Sequence, residues 1–266
     1  MSSAMVFNLA ALASLIPAAL VPLRRGAGKD GVFWAVLLLA IAGPAAWVGI
    51  QMTDSWHTGL SVTLWVSIAV SLILFGGVAI LVRQAWRLAP LLVPYLLILG
   101  LFASAFHQAS ETPLSASAPP GWLQLHILVS VVTYGLLTLA AVAALAAFLQ
   151  ERALKTKRPN ALTRMLPSVF DSERLAGWLL VASEVVLGAG LATGMATEYF
   201  ETGALLKFDH KTLLSLLAFF VIGGLLVAHR LTGMRGRMAA RIVLLAYLLL
   251  TLAYPGVKFV TEILLV

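Results

Sequence analysis

Eight long apolar runs, separated by short polar breaks, decide what this chain can fold into. The run LSVTLWVSIAVSLILFGGVAIL (60–81) carries no charged residue at all. A helix needs about 20 mainly apolar residues to cross a hydrocarbon layer roughly 30 Å thick. Runs near 4–22, 31–52, 60–82, 88–106, 122–149, 174–198, 211–229 and 240–264 meet that requirement. The composition agrees: 61% of residues are hydrophobic and 11% charged, against roughly a half and a quarter in a soluble domain. The pattern predicts an all-α, polytopic membrane bundle of eight transmembrane helices, forming one integral membrane domain over 1–266.

The first run, MVFNLAALASLIPAALVPL, has no basic residue ahead of it and meets Arg24 and Arg25 only afterwards. That is the reverse of a signal-peptide n-region, so the run reads as a retained first span. Of the 18 Lys and Arg residues, 15 fall in the breaks after helices 1, 3, 5 and 7, while Lys207, Lys211 and Lys258 lie on the other side. The positive-inside rule then predicts that both termini are external. The net charge of +7 follows from this topology and suits anionic lipid headgroups in the bilayer, with no nucleic-acid partner implied. The absence of cysteine excludes disulfides, thiolate metal ligands and covalent haem attachment, so any redox chemistry belongs to a bound cofactor.

The longest breaks are ERALKTKRPNALTRMLPSVFDSER (Glu151 to Arg174) and HQASETPLSASAPPGW (His107 to Trp122). The first carries six basic residues and is expected to continue helix 5 beyond the membrane until Pro159 and Pro167 break it. The second is a Ser, Ala and Pro loop. No internal repeat is visible, which counts against a transporter built from paired halves. In GAGLATG, Gly190 and Gly194 form a small-residue face on which another helix can pack closely.

The polar residues inside or beside the spans are the candidate site. His57, His107, His126 and His210 gather at the external end, and His229 ends helix 7 at the cytoplasmic end. His126 lies about one turn into helix 5, with Ser130, Thr133 and, less closely, Tyr134 on its face at 100° per residue. An imidazole in hydrocarbon needs a partner, so His126 is either a ligand or a histidine bonded to a neighbouring helix. Asp209 reads as the N-cap of helix 7. Lys211 opposes the macrodipole there and calls for an anionic neighbour, either Asp209, a lipid phosphate or a ligand carboxylate. Glu184, in the middle of helix 6, is either a protonated carboxyl bonded within the bundle or part of an ion path. No Ser-His-Asp constellation, phosphate-cradling loop or HExxH motif is present, and enzyme is not the first reading.

Two segments carry a family likeness. WLQLHILVSVVTYGLLTLAAVAALAAFLQERALK looks like a family helix of the form L-H-x3-S-Y-x2-L, with L-H-x3-S at Leu125 to Ser130, and FDHKTLLSLLAFFVIGGLLVAHRLTGMRGRMAARI looks like the segment after a tryptophan-rich loop. With YPGVKFV near the end, these resemble the cytochrome c assembly proteins, the CcsA, CcmC and HemX group, and within it the short YpjD-like branch of the bacterial inner membrane. The likeness runs from Trp122 to Val266 and is looser before, at DSWHTGLSVTLWVSIAVSLI.

The resemblance implies non-covalent haem b held at the external face, where a W-G-x2-W-x-W-D-P-K-E loop cradles it and external histidines ligate the iron. Carried onto this chain, His126 stands at the first external axial histidine, Phe208 and Asp209 at the final W-D, and Lys211 at the following K; Lys211 or Lys258 would pair with a propionate. His229 stands at the histidine that ends the next helix. The chain departs from the pattern in two places. The loop EYFETGALLKFDHK has no tryptophan and offers only Tyr199, Phe200 and Phe208 as aromatic surface, and Lys258 and Glu262 occupy the region of the second external histidine. The second iron ligand would then come from His107, His57 or His210.

Three functions follow as expectations. The first is a haem-handling protein that presents haem to a cytochrome c maturation partner. The second is an accessory or regulatory subunit of the same fold that has lost haem, beside a metal-ion transporter for example. The third, the weakest of the three, is a small-solute or ion transporter using Glu184.

Overall fold

The structure, a computed structural model, describes residues 3–24, 26, 28–51, 57–106, 112–113, 119–205, 207 and 209–264. Among the described residues eight helices are long and apolar enough to cross a membrane. They are α1 (Ser3–Leu20), α2 (Gly31–Gln51), α3 (Leu60–Leu81), α4 (Ala89–Ala105), α5 (Pro120–Thr156), α7 (Val169–Thr202), α8 (His210–Thr232) and α9 (Gly236–Thr251), with a short α6 (Ala161–Met165) between α5 and α7. The eight expected spans are all present. The loops before α3 and before α5 meet in a two-residue antiparallel pairing of His57–Thr58 with Thr112–Pro113.

Several helices end where local chemistry ends them. α5 outruns its apolar stretch, as its basic extension predicts, supported by an i,i+4 ion pair of Glu151 with Lys155. It stops at Lys157, whose φ of 54° is left-handed, just ahead of Pro159. Asn160 and Thr163 then cap α6 reciprocally, at 2.8 and 3.0 Å. Ser168 caps α7 through the Asp171 N–H, which lies 3.1 Å from its hydroxyl. The last helix continues from Thr251 to Leu264 with two stretches of wider π turns. Pro255 lies in the first, and the wider turn accommodates a residue that lacks the N–H an α-helix would use.

α1 to α4 pack as one group and α5, α7, α8 and α9 as another, joined mainly where α3 meets α5. α3 and α5 are accordingly the most enclosed: Trp65, Ile68, Leu72, Tyr134 and Leu137 are all fully buried. Small residues set the spacing. The Ala140–Ala147 stretch of α5, LAAVAALAAF in context, lets α7 approach over most of its length. Gly43 of α2 is so close to Ser14 of α1 that an added Cβ would overlap that side chain. The outer surface is apolar, with Leu81 79% and Leu231 80% exposed, which only a lipid solvent tolerates on this scale.

Candidate functional site

His126 sits in the second turn of α5, at the end of the bundle that carries the chain termini. Its Nδ1 lies 3.0 Å from the Thr193 hydroxyl of α7. That hydroxyl is itself 3.0 Å from the Gly190 carbonyl, to which it donates. A hydroxyl has one proton, so both bonds form together only if His126 Nδ1–H is the donor to Thr193. The imidazole is then the Nδ1–H tautomer, which leaves a lone pair on Nε2; the Gly190 carbonyl also faces the ring. The ring is half-buried and rests on Gly194, where an added Cβ would stand 3.0 Å from Cε1. Trp122, one turn earlier, donates its indole N–H to the Thr193 carbonyl at 3.2 Å.

The small-residue face of GAGLATG thus has a definite use: Gly190 and Gly194 bring α7 against Val129 and His126 of α5. The polar stripe expected below His126 does not form a continuous path. Ser130 and Thr133 each donate to their own helix, to the carbonyls of His126 and Val129 at 2.8 Å, the usual fate of a hydroxyl facing the i−4 carbonyl. Tyr134 belongs to a different cluster, in which Tyr247 of α9 bonds Tyr95 of α4, Tyr134 at 3.1 Å and Thr138 at 3.3 Å. The sequence reading missed Trp122, Thr193 and this tyrosine cluster.

Asp209 caps α8, accepting the Thr212 N–H at 2.8 Å. Burial pushes its carboxyl up, but the Thr212 N–H and hydroxyl and the charges of Lys211 and Lys207 outweigh it and hold the group below the usual carboxylate value. Lys211, badly placed for the helix dipole, is therefore compensated by Asp209. His210 and Lys211 are exposed. Phe208, His107 and the side chain of His57 lie outside the described residues.

His229 stands apart. It lies 19 residues along α8 from His210, about 28 Å at 1.5 Å per residue, so it cannot join the other histidines around one ligand. Its Nδ1 instead donates to the Met234 carbonyl at 2.7 Å, closing the turn into α9. Glu184 faces Gly223 of α8, where an added Cβ would meet Oε1 at 3.0 Å; among the described residues its buried Oε2 has no hydrogen-bond partner. Among the described residues no three His, Asp or Glu side chains gather as a cation site.

Residues 57–265 match the family described as cytochrome C assembly protein. The chain is 61% identical, over the full length of both, to an uncharacterised 28.8 kDa protein in the nifR3-like 5' region of Azospirillum brasilense. It is 30% identical to the inner membrane protein YpjD of Escherichia coli K12, over 68% of this chain and 66% of that one. No solved structure matches. The chain belongs to the cytochrome c assembly protein family and is a multi-pass inner-membrane protein.

Proposed function

We propose that this chain handles haem at the end of the bundle bearing its termini, which the charge bias assigns to the periplasm, with His126 as an axial ligand to the iron. The observation that carries this reading is the His126–Thr193–Gly190 relay. Metal-binding histidines characteristically donate their second ring N–H to a fixed acceptor, which sets the tautomer and aims the other nitrogen. Here Thr193 is that acceptor, Gly194 lets the Cε1 end of the ring approach α7, and the Nδ1–H tautomer leaves the lone pair on Nε2. The residues present therefore fit one axial position.

When bound, haem supplies an iron centre for ligation and electron transfer that no side chain here provides. Lys211 would offer an ammonium to a propionate, Asp209 holds the start of α8 in place, and one of His57, His107 or His210 would join His126 in holding the haem. The chain's part is to bind and orient, then to present haem to a maturation partner.

A second reading, an accessory or regulatory subunit without haem, is favoured by a different observation. The Asp209 carboxylate is engaged by its own helix, and the loop before it has no tryptophan. Disrupting the gene and staining membranes for covalent haem separates the two. The haem-handling reading expects fewer c-type cytochromes, restored by the wild-type gene and not by His126→Ala; unchanged cytochromes would favour the accessory role.

A further inference from the structure

At the opposite, basic end of the bundle, a cleft of ≈ 940 Å³ opens between α7, α8 and α9 with α5 as its floor. Such a volume is at the upper end of small-molecule sites, which run about 300–1,000 Å³. Its lining is divided sharply along the membrane normal. Glu173, Arg174, His229, Arg230 and Arg235 stand at the mouth, and everything deeper is apolar, down to Val186 on α7 and Val243 on α9. From Arg174 to Val186 is about 18 Å and from Arg235 to Val243 about 12 Å, at 1.5 Å per residue. One leaflet of hydrocarbon is roughly 15 Å deep. The cleft is therefore one leaflet long, apolar within and cationic at its rim.

Among the described residues the rim charge is only partly offset. Among the described residues, Asp30 pairs with Arg24, and Glu151 with Lys155 and, at 3.8 Å, with Arg237. Asp171 accepts the Ser168 hydroxyl at 2.7 Å, and Glu173 accepts the Gly236 N–H at 2.9 Å. Arg174, Arg230 and Arg235 are exposed, and among the described residues none is within ion-pair distance of a carboxylate. His229 turns its Nδ1 away to Met234. Three arginines thus face the mouth with Glu173 between them and Glu151 close by at Gly236, so the arginines outnumber the carboxylates there.

We propose that this cleft is a binding site for one anionic phospholipid of the leaflet at the basic end, with the phosphate held by Arg174, Arg230 and Arg235 and an acyl chain laid along α7 and α9. Guanidinium forks bind phosphate oxygens in pairs, and the apolar depth selects a lipid over a soluble phosphate. Trp178, 71% exposed on the cleft wall, offers an aromatic face along the chain. The site is distinct from His126, which lies at the other end of the bundle.

The test is native mass spectrometry of the detergent-purified protein with added dioleoyl phosphatidylglycerol or dioleoyl phosphatidylcholine. Wild type is expected to retain the anionic lipid with a preference on the order of tenfold. The variant Arg174→Gln/Arg230→Gln/Arg235→Gln is expected to retain both lipids equally. Gly177 of α7 lines the cleft and has open space where a Cβ would stand, so Gly177→Leu is expected to lower retention of both lipids without lowering the unfolding temperature in lipid-free detergent. Should the triple variant fail to fold, the same preference in wild type must fall as salt is raised. Equal binding of the two lipids by wild type, a preference indifferent to salt, or a preference that survives the triple substitution would overturn the proposal. So would haem held in the cleft in place of lipid, seen as haem absorbance that persists in His126→Ala and is lost in Gly177→Leu.

Discussion

Gly194→Ala probes the seating of His126 directly. The added Cβ would stand 3.0 Å from Cε1, 3.6 Å from Nδ1 and 3.8 Å from Nε2, so it meets the Cε1 end of the ring. The ring must give by a few tenths of an ångström, and any retreat lengthens the 3.0 Å bond to Thr193. Overpacking of this kind costs about 1–3 kcal/mol. Against it stands the helix preference of Ala over Gly, about 0.5–1 kcal/mol. A net loss of about 1 kcal/mol is expected. Two controls share the propensity gain without the clash. At Gly190 the nearest side-chain atom to an added Cβ is Val129 Cγ1, at an ordinary 3.5 Å, and at Gly177 nothing lies within 4 Å. Thermal unfolding in detergent should therefore rank Gly194→Ala below wild type, with Gly190→Ala and Gly177→Ala at or above it. In a His126→Ala background the penalty at Gly194 should vanish, since the atoms it meets are gone. A cost at Gly194 equal to that at Gly177, or undiminished without the imidazole, would refute the packing argument.

Three further outcomes are expected. Asp209→Ala should loosen the first turn of α8 by about 1 kcal/mol, the usual worth of a side-chain cap, seen as faster hydrogen exchange at the Thr212 amide. Because the folded Asp209 carboxyl titrates below its ordinary value of 3.8, its contribution is complete above that value and is lost as pH falls through the lower folded value. Exchange protection at Thr212 should thus fall in acid for wild type and stay flat for the variant. Tyr247→Phe, which removes the hydroxyl shared by Tyr95, Tyr134 and Thr138, should lower stability by about 0.6–1.7 kcal/mol, the range of hydrogen bonds within membrane helices; an unchanged unfolding temperature would count against the cluster. Gly236→Ala should cost about 1–2 kcal/mol, since the left-handed φ is unfavourable for an L residue. Its φ is +67° and an added Cβ would stand 3.3 Å from Glu151 Oε2, so substitution there should also disturb the Glu151–Arg237 pair.

The spans were legible because charge is excluded from hydrocarbon: the polar breaks stand out in a chain with so few of them, and 15 of the 18 basic residues fall on one side. The extra length of α5 was legible in part, since its basic extension runs on until Lys157 takes a left-handed turn before Pro159. What the sequence could not deliver was the register between helices. His126 and Thr193 are 67 residues apart, and only the packing of α5 on α7 makes them partners. The spacing of Gly190 and Gly194 announced a close approach without saying to what. Face analysis of α5 alone put Ser130 and Thr133 with His126, but each hydroxyl is taken by its own backbone. The tyrosine cluster draws on three helices, with Tyr95 and Tyr247 separated by 152 residues, and no local pattern marks it. Asp209 went the other way: its residue type and position announced an N-cap, and an N-cap is what it forms.

The central claim is that Nε2 of His126, aimed by Thr193, ligates haem. Its most direct test is the visible absorption spectrum of the detergent-purified protein, with and without added haem, for wild type, His126→Ala and Thr193→Val. A Soret band in wild type that shifts or disappears in His126→Ala and weakens in Thr193→Val is the expected result. A wild-type protein that stays colourless and takes up no added haem, or a band indifferent to His126, would contradict it.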